Sequence, residues 1–179
     1  MDNSKLLLVL YGKARQGKTT TLMNLAIRLA GGGPVMEKKI RAIFKNKNRT
    51  IDNRIIIEYK DQWIYIATGG DSWNVCKVNC NFFEKNFDSK LNIYLIDASG
   101  LRSLSLDEKK KFNNHTPKVV VSACRPDGDE YGAIKAIHSY NEKHILKYTE
   151  QLWIRKEKSF ESTAMAYELQ KRIDEFIKK

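Results

Sequence analysis

The sequence predicts a single α/β domain over residues 1–179: a three-layer arrangement with a mainly parallel sheet, a β-hairpin at about 54–68, and helices on both faces. Three observations predict it. Apolar runs of strand length recur at 6–11, 91–97 and 118–124, the pattern of strands buried on both sides. Segments with apolar residues at three- and four-residue steps alternate with those runs. At 179 residues and 42% apolar, the chain holds enough material for one sizeable core and too little for two full domains. No internal repeat, low-complexity tract or linker divides it.

The elements follow in order. Leu6-Leu7-Leu8-Val9-Leu10-Tyr11 is the first strand, entered from Ser4-Lys5. After a glycine-containing loop, Leu22, Leu25, Ala26 and Leu29 recur at helical spacing, and Gly31-Gly32-Gly33-Pro34 stops the helix. The alternation in Ile40-Arg41-Ala42-Ile43-Phe44 predicts a short strand. Arg54 to Tyr59, a Lys60-Asp61-Gln62 turn, and Trp63 to Thr68 read as a hairpin. Its second arm leads into Thr68-Gly69-Gly70-Asp71, a polar glycine turn. A helix is expected over 72–88, with Ser72 as cap and Val75, Val78, Phe82 and Phe83 on one face. Leu91 to Asp97 is a buried-type strand ending in a carboxylate, and a lysine-rich helical or irregular stretch covers 104–114. Lys118 to Cys124 is the third such strand, followed by the loop Arg125-Pro126-Asp127-Gly128-Asp129. A helix at about 131–143 and a strand at about 145–155 come next. Ser159 is the expected cap of a final helix whose apolar face holds Ala166, Leu169, Ile173, Phe176 and Ile177. In open sheets of this class, ligands sit at the carboxyl ends of the strands. That rule gathers the loops after Leu10, Thr68, Ile96 and Cys124 at one edge.

Charge and cysteine content narrow the setting. The formal net charge is +11, so a polyanionic partner has to be weighed. Between positions 38 and 54, Lys38, Lys39, Arg41, Lys45, Lys47, Arg49 and Arg54 stand against one acid, Asp52. Such a strip suits nucleic acid, or else a solvated strand pair whose charges prevent edge pairing. Cys76, Cys80 and Cys124 are expected as reduced thiols; with His115, His138 and His144 they make no metal-ligand spacing. The N-terminal residues running straight into the first strand predict no signal peptide. No apolar stretch has the length of a membrane span, and a cytoplasmic location is expected.

Residues 12–19 carry the chemistry. Gly12-Lys13-Ala14-Arg15-Gln16-Gly17-Lys18-Thr19 is an unbroken G-x-x-x-x-G-K-[ST], lying between a buried-type strand and a helix as the motif requires. Gly12 and Gly17 permit backbone angles and close approaches that a Cβ blocks. The turn between them aims several N–H groups into one concavity, a nest suited to phosphate oxygens. Lys18 is placed to reach the β- and γ-phosphates, and the Thr19 hydroxyl to complete a Mg²⁺ shell. The helix that starts near Lys18 contributes its positive end, extending the expected nucleotide contacts through Thr20.

On these residues the chain resembles a P-loop NTPase, most specifically over residues 5–30. Ile93-Tyr94-Leu95-Ile96-Asp97 resembles a Walker B strand. The resemblance implies that Lys18 binds phosphate, that Thr19 and Asp97 hold Mg²⁺, and that Asp97 belongs to the catalytic set. Asp71 is the competing carboxylate, because Thr68-Gly69-Gly70-Asp71 is similar to the γ-phosphate-sensing turn of GTPases without its Asp-x-x-Gly order. Lys13 lies where dimerising deviant Walker A ATPases carry a signature lysine, but Ala14 and Arg15 replace the two glycines usual there. Ser122-Ala123-Cys124-Arg125-Pro126-Asp127 lacks the guanine-reading Asn-Lys-x-Asp, so ATP is expected over GTP. Arg125 can act as an arginine finger or bind an acceptor phosphate, with Arg102, Lys109, Lys110 and Lys111 as possible lid residues. The function implied is Mg²⁺-dependent hydrolysis of a nucleoside triphosphate by a switch-like ATPase working with a protein partner or as a homodimer. A small nucleoside or nucleotide kinase is the first alternative. A nucleic-acid-binding module stabilised by nucleotide, using residues 38–54, is the second.

Overall fold

The computed structural model describes residues 5–13, 15–45, 53–70, 73–81, 92–112, 117–125, 135, 137 and 150–179. In chain order the described elements are β1 (Leu6–Tyr11), α1 (Lys18–Ala30), α2 (Gly33–Lys45), β2 (Arg54–Tyr59), β3 (Gln62–Ala67), α3 (Trp73–Asn81), β4 (Ile93–Asp97), β5 (Gly100–Ser103), α4 (Leu106–Phe112), β6 (Val119–Cys124), β7 (Glu150–Arg155) and α5 (Ser162–Ile177). The strands form one sheet in the order β5-β4-β2-β3-β6-β1-β7.

The sheet is mixed and mostly parallel. β1 runs parallel to both β6 and β7, and β3 runs parallel to β6. The hairpin reverses the direction: β2 is antiparallel to β3, β4 is parallel to β2, and β5 is antiparallel to β4. β2 and β4 therefore run against β1.

Apolar runs without alternation appear because both faces are covered. Leu6, Leu8 and Leu10 enter one buried cluster, which they share with Leu22, Leu25 and Leu29 of α1, Ile40 of α2, and Leu169 and Ile173 of α5. Leu7 and Val9 point the other way, into a cluster with Cys76 and Cys80 of α3, Leu104 and Ile137. Burying each such side chain contributes roughly 1.5–3 kcal/mol. α1 ends at Gly31, a left-handed C-cap (φ +60°) whose N–H donates to the Ile27 carbonyl. Among the described residues, no helix is long and apolar enough to cross a membrane. Cys76, Cys80 and Cys124 are buried and form no disulfide among the described residues.

The hairpin forms as the sequence reading expects, with its first arm as read and its second shifted by one residue to Gln62–Ala67, because the turn is closed by two residues, Lys60 and Asp61, both at positive φ, the twist a type I′ turn supplies. Four expectations change. Residues 40–44 lie within α2 and form no strand. Five residues cannot separate a period of 2 from one of 3.6, and Met36, Ile40, Ile43 and Phe44 make one helical stripe of which Ile40 is buried and Met36 and Phe44 half-buried against the core. Pro34, taken as part of a stop, also sits in the first turn of α2, where its missing N–H costs nothing. β5 was not anticipated. The last helix starts at Ser162, with Glu161 rather than Ser159 at the cap. Ser72, Phe82, Phe83, the helix expected at 131–143 and the start of the strand expected at 145–155 lie outside the described residues.

Candidate functional site

Because β1, β3, β6 and β7 run parallel, the chain after each of them emerges at one sheet edge. Main-chain bonds tie these exits together. The Gly12 N–H donates to the Cys124 carbonyl (3.1 Å), the Arg125 N–H to the Gly70 carbonyl (2.9 Å), and the Lys156 N–H to the Tyr11 carbonyl (2.7 Å). The loop at 12–17, the Gly69-Gly70 turn, Arg125 and Lys156 thus form one continuous rim.

Two glycines make this closeness possible. A Cβ on Gly12 would lie 2.4 Å from the Lys156 carbonyl oxygen, and one on Gly70 would lie 2.0 Å from the Ala123 carbonyl oxygen. In each case the obstacle is main chain and cannot swing aside. Within the loop, Arg15 and Gly17 take left-handed conformations at φ +59° and +85°. Gly17 is the N-cap of α1; it offers no side-chain cap, and the first turn contains no acid. The exposed donors and positive end of α1 are therefore available to an anion.

Lys18 is buried and folds back over the loop, its Nζ donating to the carbonyls of Gly12 (2.5 Å) and Lys13 (2.9 Å). The Gln16 Oε1 accepts from the Lys13 N–H (2.5 Å) and closes the turn from within. Lys13, Arg15, Thr19 and Thr20 are exposed, and Gln16 and Gly17 are half-buried. Ala14 lies outside the described residues.

Behind the glycine turn is a residue the sequence reading missed. Asn79 of α3 is fully buried, and its Nδ2 donates to the Gly69 carbonyl (2.8 Å) and the Ser122 Oγ (3.1 Å). It braces the turn after β3 against β6 and α3. The signal available was only a polar residue on the helical face that carries Cys76 and Cys80. Lys156 was missed as well, because a lysine ending a strand reads as solvent-facing. Here it is 1% exposed, and its Nζ donates to the carbonyls of Glu157 (3.1 Å) and Phe160. Burial pushes its ammonium below the ordinary lysine range.

The two carboxylate candidates part company. Ile96 pairs in register with Ile57, Ile57 with Ile64, Ile64 with Val119, and Val119 with Leu6. Asp97 therefore lies at the edge where β1 begins, six residues below the loop end of that strand, or roughly 20 Å along it. Its carboxylate accepts from Arg102 Nη1 (2.8 Å), the Ser99 N–H (2.9 Å) and the Ser99 hydroxyl (2.5 Å). Burial works to raise its pKa, but the bonds from Ser99 and Arg102 outweigh that and hold it below the usual carboxylate range. The expectation that Asp97 holds metal beside Thr19 is corrected by strand direction. A Walker B reading presumes a strand parallel to β1, and the hairpin turned β4 round. Arg102, committed to Asp97 and Glu108, is likewise no lid for the loop. Asp71 follows Gly70 directly in the chain and lies outside the described residues.

The basic strip is also divided. Lys38, Lys39 and Lys45 are exposed on α2, Arg41 pairs with Glu37 (2.8 Å), and Arg54 is buried at the start of β2. Lys47 and Arg49 lie outside the described residues. Lys109 is buried in α4, whereas Lys110 is exposed.

Comparison with known proteins returned nothing similar: no family model, no curated protein and no solved structure matches this chain. What the described residues define is an α/β protein with a mostly parallel, mixed sheet of seven strands and a glycine-bounded loop at the carboxyl end of β1.

Proposed function

We propose that the chain binds a nucleoside triphosphate, ATP in preference to GTP, with Mg²⁺ at residues 12–20 and hydrolyses it as a switch-like ATPase that answers to a partner. One observation carries this reading: the unbroken G-x-x-x-x-G-K-[ST] stands between β1 and α1, and its lysine closes over a loop whose helix end has no acidic or side-chain cap. The residues fit the group. Backbone N–H groups of the loop and the first turn of α1 receive the phosphates, Lys18 exchanges loop carbonyls for phosphate oxygens, and Thr19 offers its hydroxyl to the metal. When bound, Mg²⁺ neutralises charge that develops on the transferring phosphoryl group.

The protein's own contribution is placement. Asp71 is the carboxylate we assign to the metal, since it adjoins Gly70 at the loop edge whereas Asp97 stands at the far one. Arg125 supplies a cation beside the same turn. Asn79 holds Gly69, so a shift of this turn on loss of the γ-phosphate would pass to α3, the switch output.

Calorimetric titration with Mg-ATP and Mg-GTP, with free phosphate and phosphate on added nucleosides both monitored, tests the proposal. Micromolar binding of ATP, lost at least tenfold in Lys18→Ala, with phosphate released to water is the expected result. Transfer to an added nucleoside would make the chain a kinase instead, and no binding of any triphosphate would end the reading.

A further inference from the structure

We propose that Lys156 is a second cation for the polyphosphate, its buried ammonium balanced by the bound nucleotide rather than by an acid among the described residues. The inference rests on the nucleotide reading above and goes beyond the motif, which supplies only Lys18.

The geometry comes first. Lys156 follows β7 directly, and its N–H on the Tyr11 carbonyl fixes it beside the first residue of the loop. Its own carbonyl presses on Gly12, and its Cε lies 3.7 Å from where a Cβ of Gly17 would be. The residue therefore spans both glycines of the motif, with its charge one bond beyond an atom that packs on Gly17. Ser162, at the start of α5, closes the same gap with its Oγ 3.1 Å from that Cβ position. The ties from α5 to α1, Asn24 to Thr163 and Arg28 to Gln170, keep this segment against the loop.

Electrostatics then asks for an anion. No carboxylate pairs with Lys156 among the described residues: Glu157 spends its carboxylate on Arg155 (3.3 Å), and Lys156 reaches only the main-chain oxygens of Glu157 and Phe160. Taking an ammonium out of water with only carbonyl oxygens to receive it is unfavourable, and lysine at a protein surface ordinarily extends its long stem to reach water. A methionine would fill the same volume at no such cost. Lys18, also buried, donates to the carbonyl of the same Gly12, so both lysines pack against the loop glycines. A polyphosphate carrying several negative charges would answer the Lys156 ammonium there.

The test compares Lys156→Met, Lys156→Gln and Lys156→Arg with the wild type. Affinity for inorganic tripolyphosphate and for Mg-ATP is read by calorimetry, and ligand-free thermal stability by melting. Lys156→Met is expected to melt at or above the wild-type temperature, because an unpaired charge has gone. It is also expected to bind both probes at least tenfold more weakly, with Lys156→Arg restoring most of the affinity. A lysine that merely supports the fold gives the opposite pattern: Lys156→Met and Lys156→Gln lose ligand-free stability, or fail to fold, while Lys156→Arg is normal. That result overturns the inference, as does unchanged affinity in Lys156→Met while Lys18→Ala still abolishes binding. In both cases the nucleotide reading survives. If the wild type binds neither probe, the nucleotide reading fails, and this inference with it.

Discussion

At the scale of single residues, contacts between main chains decide which positions are replaceable. Gly70 has no positive φ, so its requirement is purely one of space: a methyl group there would meet the Ala123 carbonyl at 2.0 Å. Alanine must push β3 from β6 at the rim. We expect Gly70→Ala to lower stability by about 1–3 kcal/mol in urea unfolding and to weaken nucleotide binding, whereas Gly33→Ala, whose Cβ meets nothing within 4 Å, should leave binding unchanged. Asp97 makes the converse case, a carboxylate that looked catalytic and is structural. Its folded pKa lies below the unfolded value, so the stability it contributes is present above about pH 4 and is lost as pH falls through the lower folded value. Asp97→Asn should cost on the order of 1 kcal/mol or less at neutral pH and flatten part of the acid limb of the stability curve. Asp174, also held low against burial by Lys60 and Tyr59, retains the remainder. Nucleotide affinity should be untouched; a tenfold loss in Asp97→Asn would restore it as a metal ligand.

At the scale of elements, what the sequence made legible follows from how far each signal reaches. β1, β6 and the hairpin were readable because a strand buried on both faces leaves an apolar run, and a polar pair between two such runs marks a turn. The loop was readable because its chemistry is contiguous. α2 was misread because its stripe of Met36, Ile40, Ile43 and Phe44 emerges only over nine residues, while the window that looked like a strand was five. The direction of β4 was not legible at all. It depends on β4 pairing with β2 rather than with β1 or β6, a choice made by packing at long range, and with it went the assignment of Asp97. Asn79 and Lys156 were hidden for a related reason. Each is a polar residue whose burial comes from another element crossing it, Gly69 and Ser122 in one case and the loop glycines in the other. The basic strip was overread in the same way, since proximity in sequence placed Arg54 among surface charges although its strand buries it.

At the scale of the whole molecule the sheet is polar in function. One edge collects the exits of β1, β3, β6 and β7, with two buried ammonium groups and the uncapped start of α1. The other collects the Lys60-Asp61 turn, fastened to α5 by Lys60 and Tyr59 on Asp174 (2.6 and 2.9 Å), and the Asp97-Ser99-Arg102 cluster. The second edge is tied by side chains committed to one another. The first is tied largely through backbone and by Asn79 on Gly69, and both of its buried ammonium groups donate to main-chain carbonyls. A ligand that binds only the folded chain stabilises it by RT ln(1 + [L]/Kd), about 2.7 kcal/mol at a hundredfold excess over Kd. For a chain of this size that amounts to a rise of roughly 5–10 °C in Tm. Hydrogen exchange should locate the gain. We expect slowed exchange at Gly12–Thr21, Thr68–Gly70, Arg125 and Lys156 on adding Mg-ATP, and little change at Lys60–Asp61 and Ser99–Arg102 beyond the global shift. Equal added protection at both edges would mean that the ligand acts on overall stability without occupying the loop, and a gain confined to Ser99–Arg102 would move the site to the opposite side of the sheet.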